Sequence, residues 1–329
     1  MYYFYSPSIL SFVHIHFVLL FSYSIFVFVS LNSSFIECVR KHYITLTSYH
    51  HPNSASEDII CSSSVTSVTG CSTSSTILAN LRLLSHSMKF VSCKWSSCNA
   101  DDAGAAIKCT GINTVLAIEK CSFISCSAYE MGGAIYTSSI HTLDVQQSLF
   151  YKGSTSTKVN NQGSGAIWIN CIQEKLSVSE NSFISCTSKA SGGASIVKDC
   201  SENIRGQAIQ YCRNIDCNAT DESPDGGAVW ISSNSALIGL LNCLFSKCNS
   251  YNGGAVYHYL SHYQSGSNPI RYCFFNKNTG ENGNDATFYK FSPDNDQPVF
   301  LHCYSTTELN RIGYYDNNNW YQTDVDWHP

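Results

Sequence analysis

Charged residues are scarce in this chain: only 13% of its 329 residues are Asp, Glu, Lys or Arg, and the formal net charge is −5. With 19 Lys and Arg in total, the sequence offers no basic stripe to neutralise phosphates, which argues against a nucleic-acid-binding protein. Hydrophobic residues make up 43%, which is enough for a core and argues against intrinsic disorder. We therefore expect one folded domain of roughly 250 residues, preceded by a targeting segment.

Cysteine pairs of the zinc-binding type are also missing. The 17 cysteines include no Cys-x-x-Cys, and their recurrent spacing, with four intervening residues, matches no common zinc pattern. This spacing occurs at Cys93/Cys98, Cys121/Cys126, Cys212/Cys217 and Cys243/Cys248. So many cysteines predict an oxidising compartment, and the odd count leaves at least one thiol unpaired or intermolecular. No metal or other cofactor is expected.

No charged residue precedes Glu37, and the chain from Ile9 to Leu31 is almost wholly apolar and aromatic. This stretch is long enough to cross a bilayer, yet it lacks the basic region of an ordinary signal peptide. We interpret residues 1–36 as an uncleaved signal-anchor or an atypical signal peptide, with a buried core helix as the alternative. The expected location is secreted or at the cell surface, with membrane attachment if the segment is retained.

A glycine signature recurs along the rest of the chain at intervals of about 30 residues. It reads Gly-Gly-Ala plus an apolar residue at Gly132, Gly226 and Gly253, and variants begin at Gly104, Ser164, Gly192 and, faintly, Asn284. A second repeated pattern runs in register with it, which we call a ladder. Each of its rungs has a Cys or a small polar residue at the centre, an apolar residue three positions earlier and usually an aromatic residue two positions later. Its rungs are centred on Cys93, Cys121, Ser148, Asn181, Cys212, Cys243, Cys273 and Cys303.

Sustained helical periodicity is absent after the first segment, and each repeat holds two or three short β-prone runs separated by polar turns. One such unit has too little apolar surface to fold alone, so the repeats must stack. The sequence predicts an all-β fold, a right-handed parallel β-helix of about seven to nine coils of roughly 30 residues. We divide the chain into the N-terminal segment 1–36, a Ser/Thr-rich linker with a cap or first coils at 37–87, the repeats at 88–305, and a cap or tail at 306–329.

Stacking would place the cysteines in columns. Successive parallel coils lie about 4.8 Å apart, a separation within the Cα range of disulfides, roughly 4.4–6.8 Å. The resulting hypothesis is an inter-coil disulfide ladder at Cys93 over Cys121, Cys98 over Cys126, and Cys212, Cys243, Cys273 and Cys303 in succession. The alternative is that these cysteines are buried small hydrophobes.

The glycine signature combined with a downstream Phe-x-x-Asn resembles the repeats of chlamydial polymorphic membrane proteins and of similar trichomonad surface proteins. Phe275-Asn276-Lys277-Asn278 is the full form here, whereas Cys replaces the Asn at Phe123/Cys126, Phe183/Cys186 and Phe245/Cys248. The resemblance covers roughly residues 88–305. It implies a right-handed β-helix of the pectin-lyase-like class, displayed at a surface and often involved in adhesion.

Candidate site residues are few. An aromatic stripe at the fourth place of the glycine signature could stack on sugar rings or dock a protein partner, with packing under a loop or the next coil as the alternative. It comprises Tyr136, Trp168, Trp230, Tyr257 and Phe288. His258 and His262 make a weak metal-site candidate. Carboxylates such as Asp101, Asp102 and Asp225 are sparse, and we interpret them as solvated corner residues.

Two classes of function are compatible with this sequence. The favoured one is a non-catalytic surface or secreted β-helix that binds a glycan or a host or matrix protein, with no nucleic-acid partner. The alternative is a polysaccharide lyase or glycoside hydrolase, because β-helices also carry such enzymes and two facing carboxylates would be needed for the hydrolysis.

Overall fold

The architecture is that of a computed structural model, which describes residues 87–157, 163–201, 204, 208–220, 224–233, 238–260, 270–290 and 300–306 together with short strands outside these ranges. The short strands lie at 27–29, 36–38, 44–47, 65–69, 72–73, 312–316 and 319–322. Within these residues the fold is all-β, contains no helix, and stacks parallel strands into a solenoid of about six turns. Most of residues 1–87, including most of the apolar segment at 9–31, lie outside the described residues.

Each turn contributes strands to as many as four sheets, and an additional pair, β1 (Val27–Val29) and β2 (Ile36–Cys38), is antiparallel. Sheet 1 contains β3 (Ile44–Thr47), β4 (Val65–Thr69), β6 (Ser87–Val91), β10 (Val115–Glu119), β14 (Thr142–Gln146), β18 (Lys175–Ser179), β22 (Ile209–Gln210), β26 (Leu240–Leu241), β29 (Ile270–Arg271) and β32 (Phe300–Leu301). Sheet 2 contains β5 (Ser72–Thr73), β7 (Lys94–Ser96), β11 (Ser122–Ile124), β15 (Leu149–Tyr151), β19 (Ser182–Ile184), β23 (Arg213–Ile215), β27 (Leu244–Ser246), β30 (Phe274–Asn276) and β33 (Tyr304–Ser305).

The other two sheets complete each turn. Sheet 3 contains β8 (Asn99–Ala100), β12 (Ser127–Ala128), β16 (Ser154–Thr155), β20 (Thr187–Ser188) and β24 (Asn218–Ala219). Sheet 4 contains β9 (Ile107–Thr110), β13 (Ile135–Ser138), β17 (Ile167–Asn170), β21 (Ser195–Lys198), β25 (Val229–Ser233), β28 (Val256–Leu260), β31 (Ala286–Lys290), β34 (Ile312–Asp316) and β35 (Asn319–Gln322). Pairing is parallel throughout these four sheets except between β34 and β35, which folds back antiparallel at the end of sheet 4.

The aliphatic rung of the sequence ladder forms one interior column in sheet 1, as predicted. Its members pair in direct succession and are buried: Ile118, Val145, Val178, Ile209, Leu240 and Ile270. Side chains alternate inward and outward along each strand, so this register also buries Leu116, Leu143 and Leu176 on the same face. The parallel ladder extends before residue 87 as well, because β4 pairs with β6 and β3 pairs with β4.

A stack of aromatic rings forms a second interior column, in sheet 2. The ring centroids of Trp95 and Phe123 lie 4.6 Å apart, those of Phe123 and Phe150 4.7 Å, and those of Phe150 and Phe183 4.9 Å, and the stacked rings are nearly parallel. The stack resumes at Phe245 and Phe275, 5.1 Å apart. Asn214 occupies the position between Phe183 and Phe245, so one polar residue interrupts the aromatic column.

Replacing Asn214 by Phe is expected to stabilise the protein. Asn214 is 1% exposed, and neither its Oδ1 nor its Nδ2 has a hydrogen-bond partner among the described residues. A buried unpaired polar group costs about 1–3 kcal/mol, and a stacked aromatic pair contributes about 0.5–1.5 kcal/mol beyond its burial. We expect the free energy of unfolding in urea to rise by about 2–3 kcal/mol. An unchanged or lower value for Asn214→Phe would contradict the described packing, and Asn214→Asp should lower it.

Two corners of each turn share one backbone device. A residue with positive φ precedes the inward-pointing corner residue; φ is 54° at Ser92 before Cys93 and 53° at Ser185 before Cys186. In the first corner the inward residue is always Cys, Ser or Asn. In the second it is Cys, Asn or, at one turn, Gly153. Both corners therefore accommodate only a small inward-pointing residue.

The corner side chain links two turns by hydrogen bonds. The Asn181 Oδ1 accepts from the backbone N–H of Ser148 at 2.8 Å, and its Nδ2 donates to the Val145 carbonyl oxygen at 2.8 Å. The Cys212 Sγ likewise donates to the Val178 carbonyl oxygen at 3.4 Å. Cys, Ser and Asn share a short side chain that can both donate and accept. The ladder position therefore requires this hydrogen-bonding ability, which a thiol supplies.

The third corner carries the glycine signature. Its first glycine adopts positive φ, as at Gly226 (66°), a conformation that favours glycine. Its second glycine lies against the backbone of the next turn, since a Cβ on Gly227 would lie 2.0 Å from the Gly254 carbonyl oxygen. The paired glycines therefore meet two separate requirements.

The last copy of the signature is one residue earlier than the sequence suggested. Val256 pairs with Ala286, so Gly283 is equivalent to Gly253 and Asp285 replaces the inward alanine. The carboxylate of Asp285 is buried and accepts hydrogen bonds from Asn278 Nδ2 at 3.0 Å and Ser305 Oγ at 2.5 Å. These two partners allow a carboxylate at a position otherwise occupied by alanine. Because Asp285 stands in place of that alanine, the register of this copy was not recognisable in the sequence.

Candidate functional site

Four of the five residues of the predicted aromatic stripe lie in one outward-facing column, but two of these four side chains are buried. Tyr136 pairs with Trp168, and Trp230 pairs with Tyr257 on the outward face of sheet 4, with Ile196 between the two pairs. Trp168 is 2% exposed and Tyr257 7%, whereas Tyr136 and Trp230 are half-buried. A ligand therefore cannot stack on Trp168 or Tyr257 without displacing what covers them, and binding stays a prediction for Tyr136 and Trp230.

Phe288 does not belong to the stripe. It pairs with His258 in an interior column and is 1% exposed, and Thr287 takes the place beside Tyr257. The prediction for Phe288 was wrong because the signature was read one residue too late, and a shift of one residue turns every side chain of a strand to the other face.

The predicted cysteine ladder stacks in the expected order. The strands that follow the corner cysteines pair in register, which superposes Cys93 on Cys121, Cys98 on Cys126, and Cys212, Cys243, Cys273 and Cys303 in sequence. All eight are buried, and Cys303 Sγ accepts from the Cys273 backbone N–H at 3.4 Å. Disulfide formation between them stays a prediction.

Several buried thiols in this solenoid are held protonated. Burial raises the pKa of Cys109 and of Cys200 to about 12, and burial together with neighbouring thiols raises the pKa of Cys217 and Cys273 well above the usual range. The thiolate, not the thiol, is the nucleophile. These cysteines therefore contribute to the interior and are poor candidates for covalent catalysis.

An exposed aromatic cluster lies outside the first corner in the last two described turns. The ring centroids of Tyr272 and His302 lie 5.1 Å apart and those of Phe274 and Tyr304 5.2 Å apart, each pair stacked. Tyr272, Phe274 and Tyr304 are 50%, 38% and 59% exposed, and His302 is also exposed. We call these four residues the aromatic corner.

The sequence analysis did not predict the aromatic corner, although the sequence contains a signal for it. Because the corner cysteine points inward, both of its neighbours point outward. Tyr272-Cys273-Phe274 and His302-Cys303-Tyr304 place aromatics on both sides of the cysteine, whereas earlier turns carry at most one aromatic there, as in Tyr211-Cys212-Arg213. The aromatics are recognisable as surface residues only once the cysteine between them is known to point inward, and the sequence alone does not determine that direction.

A polar groove of about 540 Å³ runs across three consecutive turns, between sheet 3 and the glycine corner. Small residues at equivalent positions, Ala219, Ser250 and Gly280, lie along it. The other lining residues are mostly polar: Thr220, Pro224, Asn249, Tyr251, Thr279, Glu281 and Asn284. We call this the polar groove.

Asp225 lies beside the polar groove, next to Pro224, in an environment that disfavours its charge. Burial raises the pKa of its carboxyl group to about 6, although the Asn252 amide donates to its Oδ1 at 2.7 Å and offsets part of that effect. Asp225 thus differs from the solvated corner carboxylate that the sequence suggested. Asp101 and Asp102, by contrast, are exposed and half-buried, respectively, and Asp102 forms an ion pair with Lys108.

The weak metal-site candidate receives no support at His258, and His262 lies outside the described residues. His258 is fully buried between Ile231 and Phe288, with its Nε2 3.2 Å from the Ile238 carbonyl oxygen. In the described part of the chain, no three His, Cys, Asp or Glu side chains are grouped to hold a metal ion. Nor does that part contain a helix with the length and apolar character needed to span a membrane.

His258 should make stability depend on pH. Burial lowers its pKa to about 4 from 6.5, so the folded protein keeps the imidazole neutral while the unfolded chain takes up a proton below pH 6.5. Stability is therefore lost as pH falls from about 6.5 and the loss levels off near pH 4, at about 3 kcal/mol. Urea unfolding at pH 7 and pH 4 should show this loss in the wild type and less of it in His258→Phe. Equal losses in the two proteins would show that protonation of His258 does not cause the loss of stability at low pH.

No known protein family, curated protein or solved structure matches this chain. The fold defines the class of the protein, a parallel β-solenoid built from degenerate repeats of about 30 residues. Its function has to be inferred from its own surface, where the aromatic corner and the polar groove are accessible features of the described part of the chain.

Proposed function

We propose that the chain is a non-catalytic interaction module, a right-handed parallel β-helix of seven to nine coils that is secreted or displayed at a cell surface. It binds a ligand on host cells or in the extracellular matrix. The aromatic corner is the observation that carries this proposal, because soluble proteins seldom leave four stacked aromatic side chains exposed together without a binding role.

The solenoid gives the aromatic corner a rigid base. Cys273 and Cys303 anchor the two strand starts from inside, because the Cys273 backbone N–H donates to the Cys303 Sγ of the next turn, so the flanking rings are presented with little freedom to lose on binding. Rigid aromatic anchors of this kind dominate many binding interfaces. The resemblance to surface-repeat proteins and the uncharged segment at 9–31 support the same role and location.

The proposal is tested by binding of the chain, purified from its own cells, to cultured cells and to extracellular matrix. Tyr272→Ala and Tyr304→Ala together should reduce binding about tenfold or more, since each lost anchor costs on the order of 1–2 kcal/mol. Tyr211→Ala is the matched control, because Tyr211 is equally exposed at the equivalent corner position two turns away. Equal binding by all three proteins would overturn the role of the aromatic corner.

Asp225 favours a second candidate function, a carbohydrate-active enzyme. A carboxyl group with a pKa near 6 is suited to act as a general acid, and Glu281 in the adjoining polar groove supplies a second carboxylate. An enzyme of this kind should release reducing ends from a polysaccharide and lose that activity in Asp225→Asn. Absence of turnover over a panel of polysaccharides would favour the non-catalytic role.

A further inference from the structure

Two polar ladders border the polar groove and run along the solenoid axis. In the first, Asn218, Asn249 and Thr279 pair in succession, and the Thr279 Oγ1 donates to the Asn249 Oδ1 at 3.0 Å. In the second, Asp225 is followed by Asn252 and Asn282, and the Asn282 Nδ2 donates to the Asn252 Oδ1 at 2.8 Å. The groove therefore repeats the same kind of polar group at every turn.

Several polar groups in the groove remain available to a ligand. The Asn249 Nδ2, the Tyr251 hydroxyl and the Glu281 carboxylate form no hydrogen bond with the described part of the chain. They lie on two adjacent turns beside small residues that leave room for a ligand, and Tyr251 adds an aromatic ring. Amide, hydroxyl and carboxylate groups arranged around an aromatic ring are suited to a molecule rich in hydroxyl groups.

Charge and size narrow the class of ligand. The groove is lined by one carboxylate and no cation, and Asp225 lies beside it, so an anionic ligand would meet only like charge. A volume of about 540 Å³ lies within the range of small-molecule sites, roughly 300–1,000 Å³. Because the groove spans three consecutive turns and its polar groups repeat about every 4.8 Å, it suits a ligand that is itself an extended repeat.

We propose that the polar groove binds an extended, uncharged glycan, with successive sugar units lying on successive turns. Asn249 faces the hydroxyl groups, the Tyr251 ring packs against one sugar face, and Glu281 accepts hydrogen bonds and disfavours acidic glycans. This inference rests on the proposed function as a binding module and adds a ligand class at a site distinct from the aromatic corner.

The test is binding of the full chain to immobilised oligosaccharides. Neutral hexose and N-acetylhexosamine chains of increasing length are the probes, and sulfated and uronic-acid chains of equal length are the comparison. We expect affinity for neutral chains to rise with length up to about three units, and to fall about tenfold in Tyr251→Ala. Tyr129→Ala is the matched control, because Tyr129 holds the same corner position in an earlier turn outside the groove and is 53% exposed.

The possible outcomes test the groove, the ligand class and the proposed function separately. Loss of binding in Tyr251→Ala with normal binding in Tyr129→Ala, and gain of binding to acidic chains in Glu281→Gln, would support the groove. Neutral-glycan binding that Tyr251→Ala leaves unchanged would overturn the groove as its site. Binding to cells or matrix without binding to any neutral chain would overturn the ligand class while leaving the proposed function standing, and binding to neither would overturn both.

Discussion

Replacing Ile135 by Asp should lower the free energy of unfolding by about 3–5 kcal/mol, because a carboxylate would enter an apolar column without a partner. Ile135 is fully buried and lies directly between Ile107 and Ile167 of the neighbouring turns. Solenoid turns depend mainly on their nearest neighbours, so hydrogen exchange should accelerate first in β9, β13 and β17. Urea unfolding gives the size of the effect, and amide exchange gives its location.

Ser138→Asp is the matched control for Ile135→Asp. Ser138 lies in the same strand but is partly exposed on the outer face, so the same charge should cost little there. The loss in Ile135→Asp should also shrink at low pH, where the new carboxyl group becomes neutral. An Ile135→Asp protein as stable as the control would mean that this residue points outward and that the register of sheet 4 is wrong.

Replacing Gly227 by Ala should be comparably damaging, with a loss of roughly 3 kcal/mol or more. The new Cβ would lie 2.0 Å from the Gly254 carbonyl oxygen and 2.6 Å from the Asn249 nitrogen, both backbone atoms of the next turn. Backbone atoms cannot move aside as the end of a flexible side chain can, so the two turns must separate. Thermal unfolding of Gly227→Ala measures the effect.

Gly163→Ala provides the control for this substitution. Its Cβ would lie 3.0 Å from the Ser188 hydroxyl and 3.1 Å from the Thr155 hydroxyl, which can rotate, and 3.2 Å from the Glu130 carbonyl oxygen, so the neighbours need to shift by only a few tenths of an ångström. We expect it to cost less than about 1.5 kcal/mol. If Gly227→Ala proves equally mild, the turns are not packed as closely at the glycine corner as described.

The interior of the solenoid was predictable because stacking imposes one requirement on every turn. A column such as Ile118, Val145 and Val178 repeats its residue type at a fixed offset from the corner residue, so the sequence pattern translates directly into contacts. The same repetition revealed the glycine corner. What the sequence did not reveal was that the corner column needs a small hydrogen-bonding side chain, which explains why Ser148 and Asn181 replace cysteine there.

The surface was less predictable because exposure depends on what covers a residue. The burial of Trp168 follows from neighbours that no periodic pattern specifies, so the outward stripe could not be distinguished from a covered one. Phe288 was misplaced because Asp285 disguised the last glycine signature, and its buried partners, Asn278 and Ser305, lie 7 and 20 residues away. The polar groove likewise combines three turns, and its asparagines look ordinary in the sequence.

Entry into the secretory pathway is the condition on which the proposed surface role depends. The most direct measurement is the location of the natural full chain in its own cells, by labelling intact cells and the medium with a membrane-impermeant reagent. We predict labelled chain at the cell surface if the segment at 9–31 is retained, or chain in the medium beginning shortly after Leu31 if the segment is cleaved. A chain confined to the cytosol and inaccessible to the reagent would contradict the proposed surface role.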